Sequence, residues 1–447
     1  MHTDHFDSKL KVKKRILHIL FWSVLSAAFI GPGTVTTAAS AGAGFGYTLI
    51  WALIFSTAAC FILQEASARI TQVTGLSLGQ TMQKLYSKSR FGNAFKWLVL
   101  VSIISGCAAF EAGNILGAVA GITLVLDDAY TPLIVLAIGI VAGALLWNGS
   151  VPQIATFLGV IVAIMGACFV ITAISIPHKL MPIFSGAFKP QVPPGTEILV
   201  LGLIGTTVVP YNIFLGSGLK HTQTLSEMKL SLMIAIGLGG FVSIAILLTG
   251  TAIAGTFTFE ALAAALTDQL GGWARWLLAI GLFGAGISSA LTAALAAAIT
   301  AGSLLGKPGT THWTEKSVRF RSVWISVLLI GLIFGLIQLQ PVPVIIIAQA
   351  LNGIILPLIA VLLFLLMNNK KVLPPSAQNG TLYNLLMAGV VYLSVLIGLT
   401  NVFRAISRVA GFELMNQNRI IYLSILMFVV LIIPVLKTII FKNRTSV

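Results

Sequence analysis

Twelve apolar runs, each about as long as a membrane-crossing helix, follow one another along the chain with short polar stretches between them. Their approximate limits are 17–43, 47–70, 95–123, 132–148, 153–176 and 196–219, then 229–254, 273–301, 320–339, 342–367, 382–403 and 418–440. The pattern predicts an all-α polytopic membrane protein. Two runs are interrupted. In the first, Leu17–Ile30 and Val35 to about Ala43 read as two half-helices separated by Gly31-Pro32-Gly33-Thr34. In the sixth, Gly205-Thr206-Thr207-Val208-Val209-Pro210-Tyr211-Asn212 again puts a proline among small and polar residues at mid-span. Glycine and proline together open a helix, and backbone groups freed in hydrocarbon cost several kcal/mol each unless protein, water or ligand satisfies them. A tolerated proline kink is one reading of each break, and a binding site is the other. The breaks occupy corresponding places in two five-helix halves, which predicts inverted repeats with a substrate site between them. On this reading spans 1–5 (17–176) form the first repeat and spans 6–10 (196–367) the second. Two further helices (382–440) follow, all within one membrane domain.

Composition sharpens the class. Of 447 residues, 57% are hydrophobic and 9% charged, with a mean hydropathy of +1.00, which excludes a soluble globular protein. The polar, basic start lacks a small-residue cleavage site and the first apolar run exceeds a signal-peptide core, so no cleaved signal is expected. The net charge of +15 sits at segment ends, so membrane topology accounts for it and no nucleic-acid partner is expected. With the N-terminus inside, twenty of the 27 Lys and Arg residues fall on that side and six on the other, with Arg69 at the inner end of span two. Positive charge on that side puts both termini in the cytoplasm, and a bacterial inner membrane is the expected location.

Little in the chain suggests other chemistry. Cys60, Cys107 and Cys168 lie inside apolar runs, without a CxxC pair or Cys/His cluster, and the six histidines avoid mid-span. No nucleophile–base pair or nucleotide loop is present, so neither an enzyme nor a cofactor is expected, and no obligate protein partner is evident. The short tail after Phe441 argues against a receptor on a transporter scaffold. The proline-rich stretch His178–Gly195 is expected to be irregular, and Phe257–Gly272 a short amphipathic helix. Both are expected on the outer face.

Several stretches together resemble the NRAMP (natural resistance-associated macrophage protein) family, proton-coupled divalent-metal transporters with the LeuT-type fold. They are Gly31-Pro32-Gly33-Thr34, where the family has Asp-Pro-Gly-Asn, and Leu63-Gln64-Glu65-Ala66-Ser67-Ala68-Arg69-Ile70 through Val73-Thr74-Gly75. Val209-Pro210-Tyr211-Asn212 stands against Met-Pro-His-Asn, and Ala279 through Ser288-Ser289, Ala348-Gln349 and Leu356-Pro357 match further spans. The resemblance covers about spans 1–10 and implies about twelve transmembrane helices with the first and sixth broken. It also implies that the family's metal-ligating aspartate, asparagine and methionine are here Gly31, Thr34 and Val209. The family's sixth-span histidine is Tyr211. Its third-span Asp-x-x-Glu pair on the proton route corresponds to Glu111 and Asn114, which makes these the candidate coupling residues.

These departures set the expected substrate. A Gly/Thr/Val site offers backbone carbonyls and a hydroxyl but no anionic ligand, so no protein metal site is expected there. Dehydrating a divalent ion without counter-charge in a low-dielectric site is prohibitive. Each break also exposes a half-helix N-terminus, worth roughly half a positive charge with unpaired N–H donors. The candidate substrate residues are Gly31, Gly33, Thr34, Thr37, Thr207, Val209, Tyr211 and Asn212, with Thr36 and Thr206 beside them. A small inorganic anion, bicarbonate first, is the expected cargo of a secondary transporter in the lipid bilayer. An amino-acid zwitterion, or the family's divalent cation (magnesium or manganese type, perhaps largely hydrated), is the alternative. Threonines in membrane helices also bond their own i−4 carbonyls, and Gly33 also suits close packing. Glu65 and Arg69, spaced i, i+4, read as an ion pair. Gln349 and Asn352 read equally as helix-to-helix bonds or substrate contacts, and the Gly/Ala-rich run 285–301 as a packing face.

Overall fold

The computed structural model describes residues 30–87, 92–149, 151–218, 224–306 and 311–410, with a few positions between 422 and 429. The first half of span one and most of span twelve lie outside the described residues. All regular structure among the described residues is helical. The chain runs α1 (Pro32–Phe45), α2 (Ile50–Thr74), α3 (Leu78–Tyr86), α4 (Gly92–Thr123), α5 (Thr131–Asn148), α6 (Val151–Ser175), α7 (Leu180–Phe188) and α8 (Glu197–Thr207). It continues with α9 (Pro210–Gly218), α10 (Leu225–Gly250), α11 (Phe259–Leu270), α12 (Trp273–Leu305), α13 (Val318–Leu336), α14 (Pro341–Met367) and α15 (Thr381–Ala410). Among the described residues, ten segments are long and apolar enough to cross a membrane, and they coincide with spans two to eleven of the hydropathy pattern.

Local sequence sets the ends. Ser77 and Gln80 form a capping box that starts α3, and Thr224 with Glu227 forms another that starts α10. Gly75 ends α2 with φ of 68°, and Gly149 ends α5 with φ of 73°, left-handed conformations that glycine adopts without a Cβ clash. Thr258 caps α11, whose buried face carries Phe259, Leu262 and Leu266, as its amphipathic pattern predicts. The expectation of an irregular stretch after His178 is corrected by α7. Pro182 falls in the first turn of that helix, where a missing N–H leaves no intrahelical bond unmade. Tyr47 holds the approach to α7 by a 2.9 Å hydrogen bond with His178 Nδ1.

The bundle is graded from centre to rim. The α8–α9 segment is the most enclosed span, 89% buried, whereas the segment containing α5 is 22% buried and presents Leu133 and Ile140 outward. Small residues let the central helices meet backbone to backbone. A Cβ on Gly205 of α8 would collide with the Gln349 carbonyl of α14, and one on Gly353 of α14 would meet the Leu201 carbonyl in return. Gly286 of α12 packs likewise on Asn114 and Ala118 of α4, and Gly117 of α4 on the Pro32 ring. In hydrocarbon, such close van der Waals contact is a main source of helix association, because lipid supplies no hydrophobic drive.

The predicted Glu65–Arg69 pair forms, at 2.5 Å. Lys229 of α10 joins it 3.3 Å from Glu65 Oε1, and Arg69 lies over the Tyr383 ring of α15. One buried carboxylate thus ties α2 to α10, and Arg69 carries the contact on to α15.

Gly205→Val is expected to lower stability by about 3 kcal/mol, since neither colliding backbone group can rotate away. Gly237→Ala, with open space around its Cβ position, is expected to be neutral or to gain up to about 1 kcal/mol from helix propensity. Thermal unfolding of the detergent-solubilised protein compares the two.

Candidate functional site

Among the described residues span six is broken between two helices and a helix starts at the Gly-Pro-Gly stretch of span one, and the two places meet. In span one, Gly31 occupies the N-cap of α1 with extended backbone (φ −90°, ψ 177°). No side chain caps this helix start, and no acid lies in the first turn. In span six, α8 ends at Thr207 and α9 begins at Pro210, with Val208 and Val209 between them and no acid in the first turn of α9. The Thr34 and Thr206 hydroxyls share a buried 2.9 Å hydrogen bond. That bond joins the start of α1 to the end of α8 across 172 residues of chain.

The predicted threonines divide. Thr34 and Thr206 bond to each other across the breaks. Thr37 donates to Gly33 O at 2.8 Å, and Thr207 donates to Leu203 O at 3.2 Å. Both hydroxyl protons thereby satisfy carbonyls of their own helices, the self-bonding habit of membrane-helix threonines. Thr36 Oγ1 is buried with no partner. Val209 is fully packed, and Tyr211 sets its ring edge-on against Phe110 of α4, 5.2 Å between centroids. Asn212, on the first turn of α9, is 2% exposed, and neither end of its amide finds a partner.

Two further helices contribute groups to the first break, Gln349, which the sequence leaves between a helix-to-helix bond and a substrate contact, and Ser289. Gln349 of α14 lies where a Cβ on Gly33 would stand. It is wholly buried, with both amide atoms unpartnered. Ser289 Oγ of α12 is 3.1 Å from the position of a Gly31 Cβ and also has no partner. The glycines of the first break therefore admit side chains from α12 and α14 to its backbone. The signal for this was present in the sequence as polar residues inside apolar runs, but only the fold says which glycine each one meets.

The candidate coupling pair is separated. Phe110 packs on Tyr211 and Gly117 on Pro32. Asn114, four residues after one and three before the other, therefore lies on the stripe of α4 that meets both breaks. Its amide is fully buried and unpartnered. Glu111 points elsewhere, its side chain packed where Gly331 of α13 leaves room. It too is fully buried, and neither carboxylate oxygen has a partner.

Among the described residues, no cluster of three or more His, Cys, Asp or Glu side chains is arranged to hold a metal ion. The helices that form and flank the breaks carry instead buried neutral donors and acceptors without partners: Thr36, Asn114, Asn212, Ser289 and Gln349. Buried polar groups ordinarily find partners, so these are the candidates to contact a ligand.

A family model described as "Natural resistance-associated macrophage protein-like" matches residues 23–404. The chain belongs to this family. It is similar to the "Divalent metal cation transporter MntH" of Yersinia pestis (strain Pestoides F), 26% identical over 301 residues, covering 64% of this chain and 72% of that protein. It is also similar to the "Natural resistance-associated macrophage protein 2 homolog" of Dictyostelium discoideum, 27% identical over 314 residues, 65% of this chain and 49% of that one. Among solved structures, the Eremococcus coleocola manganese transporter superposes with a TM-score of 0.68 at 16% identity, covering 97% of this chain and 95% of that one. Mhp1, a nucleobase-cation-symport-1 family transporter, superposes with a TM-score of 0.58 at 15% identity, covering 94% and 91%. The fold of this NRAMP-family protein is therefore LeuT-type, and it is a membrane transporter rather than an enzyme.

Thr34→Val and Thr206→Val should each destabilise the protein modestly and fail to add. A double-mutant cycle on unfolding in detergent should return a coupling of about 0.6–1 kcal/mol.

Proposed function

We propose that this NRAMP-family protein is a secondary transporter that carries a largely hydrated divalent cation through the junction of its two breaks. The observation that carries this reading is the set of buried neutral side chains left without partners on the helices that form and flank the breaks: Asn212, Gln349, Asn114, Ser289 and Thr36. Neutral amide and hydroxyl oxygens are hard donors that can accept from and orient a cation's water shell. They cannot offset the cost of stripping that shell. The ion that suits them is one that keeps its water, of the magnesium type, since neutral hard oxygens do not select a soft transition metal. Similarity to proteins named as divalent metal cation transporters supports cation over anion cargo and weighs against the bicarbonate expectation.

In this reading Glu111 is the acidic group that the first turns at the breaks lack. It stands one residue off the α4 stripe that faces the site, so a proton moving on or off its carboxylate changes the field at Asn114 three residues on. In this reading Glu111 exchanges the coupling proton and Asn114 contacts the substrate's water shell. Gly31 and Gly33 admit Ser289 and Gln349, Thr34 joins the breaks, and Tyr211 with Val209 walls the cleft. Spans 1–5 and 6–10 act as inverted repeats around the site, in a bacterial inner membrane with both termini cytoplasmic. The fold shared with solved transporters and the bacterial relatives support that placement.

One observation favours a second reading, a small anion. Both half-helix N-termini at the junction lack an acid in their first turn, so their positive ends are not neutralised by their own side chains.

Flux into proteoliposomes separates the two. Protein-dependent magnesium entry with no bicarbonate-driven change of internal pH is the expected result; the reverse pattern would establish the anion reading and refute the cation one. Asn212→Leu and Gln349→Leu should each lower magnesium flux roughly tenfold, the equivalent of one buried polar contact. The triple variant Gly31→Asp, Thr34→Asn, Val209→Met should shift preference toward manganese, read by a metal-sensitive dye inside the vesicles.

A further inference from the structure

Away from the breaks, one cavity joins the helical hairpin α3–α4 to the C-terminal end of α12. It has a volume of about 610 Å³ and is lined by Gln83, Lys84, Ser87, Asn93 and Lys96 over a floor that includes Leu305 and Gly306. Among the described residues its polar lining is two ammonium groups, amides and hydroxyls, with no carboxylate, and residues 66–110 contain no Asp or Glu at all. The walls are held in place. The Gln83 side-chain amide donates to the Leu304 carbonyl, Tyr86 packs edge-on against Phe95 with 5.6 Å between centroids, and the Ser77–Gln80 capping box anchors the start of α3. Positive charge and amide donors around a cavity of this size select an oxyanion, and phosphate above others.

The surroundings say which kind of phosphate. Lys96 lies beside the Trp97 ring, and Trp97 is 47% exposed, a lysine–tryptophan pair of the sort that sits at the membrane–water boundary. From there an outward-facing apolar stripe runs down α4 through Leu98, 53% exposed, and Val101, 60% exposed. The spacing of 97, 98 and 101 keeps these side chains on one helix face. A molecule with its phosphate in the cavity would therefore lay its tail along hydrocarbon-facing α4. We infer that this cavity is a seat for the headgroup phosphate of an anionic phospholipid, with Lys84 and Lys96 as its charge contacts and the α4 stripe as the track of an acyl chain. Basic pockets between helix ends at the membrane surface hold lipid headgroups by this chemistry. The site shares no residue with the helix breaks, so it stands whichever ion the transporter carries.

Native mass spectrometry of the full chain in detergent tests this with phosphatidylglycerol, phosphatidylcholine and inorganic phosphate as probes. Phosphatidylglycerol is expected to be retained in preference to phosphatidylcholine. Lys84→Gln with Lys96→Gln should weaken that retention roughly thirtyfold, as removal of two lysine charges near a lipid surface implies, and Lys84→Arg with Lys96→Arg should keep it. Equal retention of the two lipids, or no change in the glutamine variant, would overturn the proposal. Inorganic phosphate bound with the same lysine dependence while phosphatidylglycerol is not would also overturn it, because the site would then belong to a soluble anion. The glutamine variant must unfold at the temperature of the parent protein; if it does not, the arginine variant and a Ser87→Glu variant, expected to repel the lipid, carry the test.

Discussion

Everything in this bundle answers to one constraint: a helix opened inside hydrocarbon must find partners for the backbone groups it releases. Among the described residues a helix starts without a side-chain cap at Gly31-Pro32 and another opens at Val208-Val209, and the fold brings the two together through the Thr34–Thr206 hydrogen bond. Bringing them together allows the same polar groups to serve both. It also concentrates helix ends, hydroxyls and amides in one place, which is what turns a structural liability into a site.

Close packing makes that meeting possible. Gly205 and Gly353 let α8 and α14 touch at backbone distance, and Gly117 lets α4 press on Pro32. With α14 that near, Gln349 reaches the backbone of α1; with α12 near, Ser289 reaches Gly31. Stability and function are thus coupled through the same glycines. The price of a tight centre is a set of buried polar side chains with no protein partner, and those are the groups available to a passing ion.

Electrostatics then narrow the chemistry. Among the described residues three glutamates are buried within the apolar helices, Glu65, Glu111 and Glu197, and the first two differ in what holds them. Glu65 is paired with Arg69 and Lys229 and ties α2 to α10, which is a structural task. Glu111 is fully buried without a hydrogen-bond partner and packs toward α13.

The sequence by itself determined the membrane class, ten spans that the structure describes, both break positions and the family, because each rests on local composition: apolar length, a proline between small residues, and short motifs that survive divergence. It also foresaw the Glu65–Arg69 pair and the helix at 259–270, which are set by i, i+4 spacing and amphipathic period. It misread the stretch after His178, where proline punctuation hid a helix that merely begins with a proline in its first turn. It also left Glu111 and Asn114 as one pair, although residues three apart on α4 face different neighbours once α13 and the two breaks are packed around it. Which threonines bond across helices and which bond to their own turn, and that Gln349 and Ser289 reach the first break, were decided only by tertiary structure. These facts depend on the distance and rotation between helices far apart in the chain, and no local pattern encodes either.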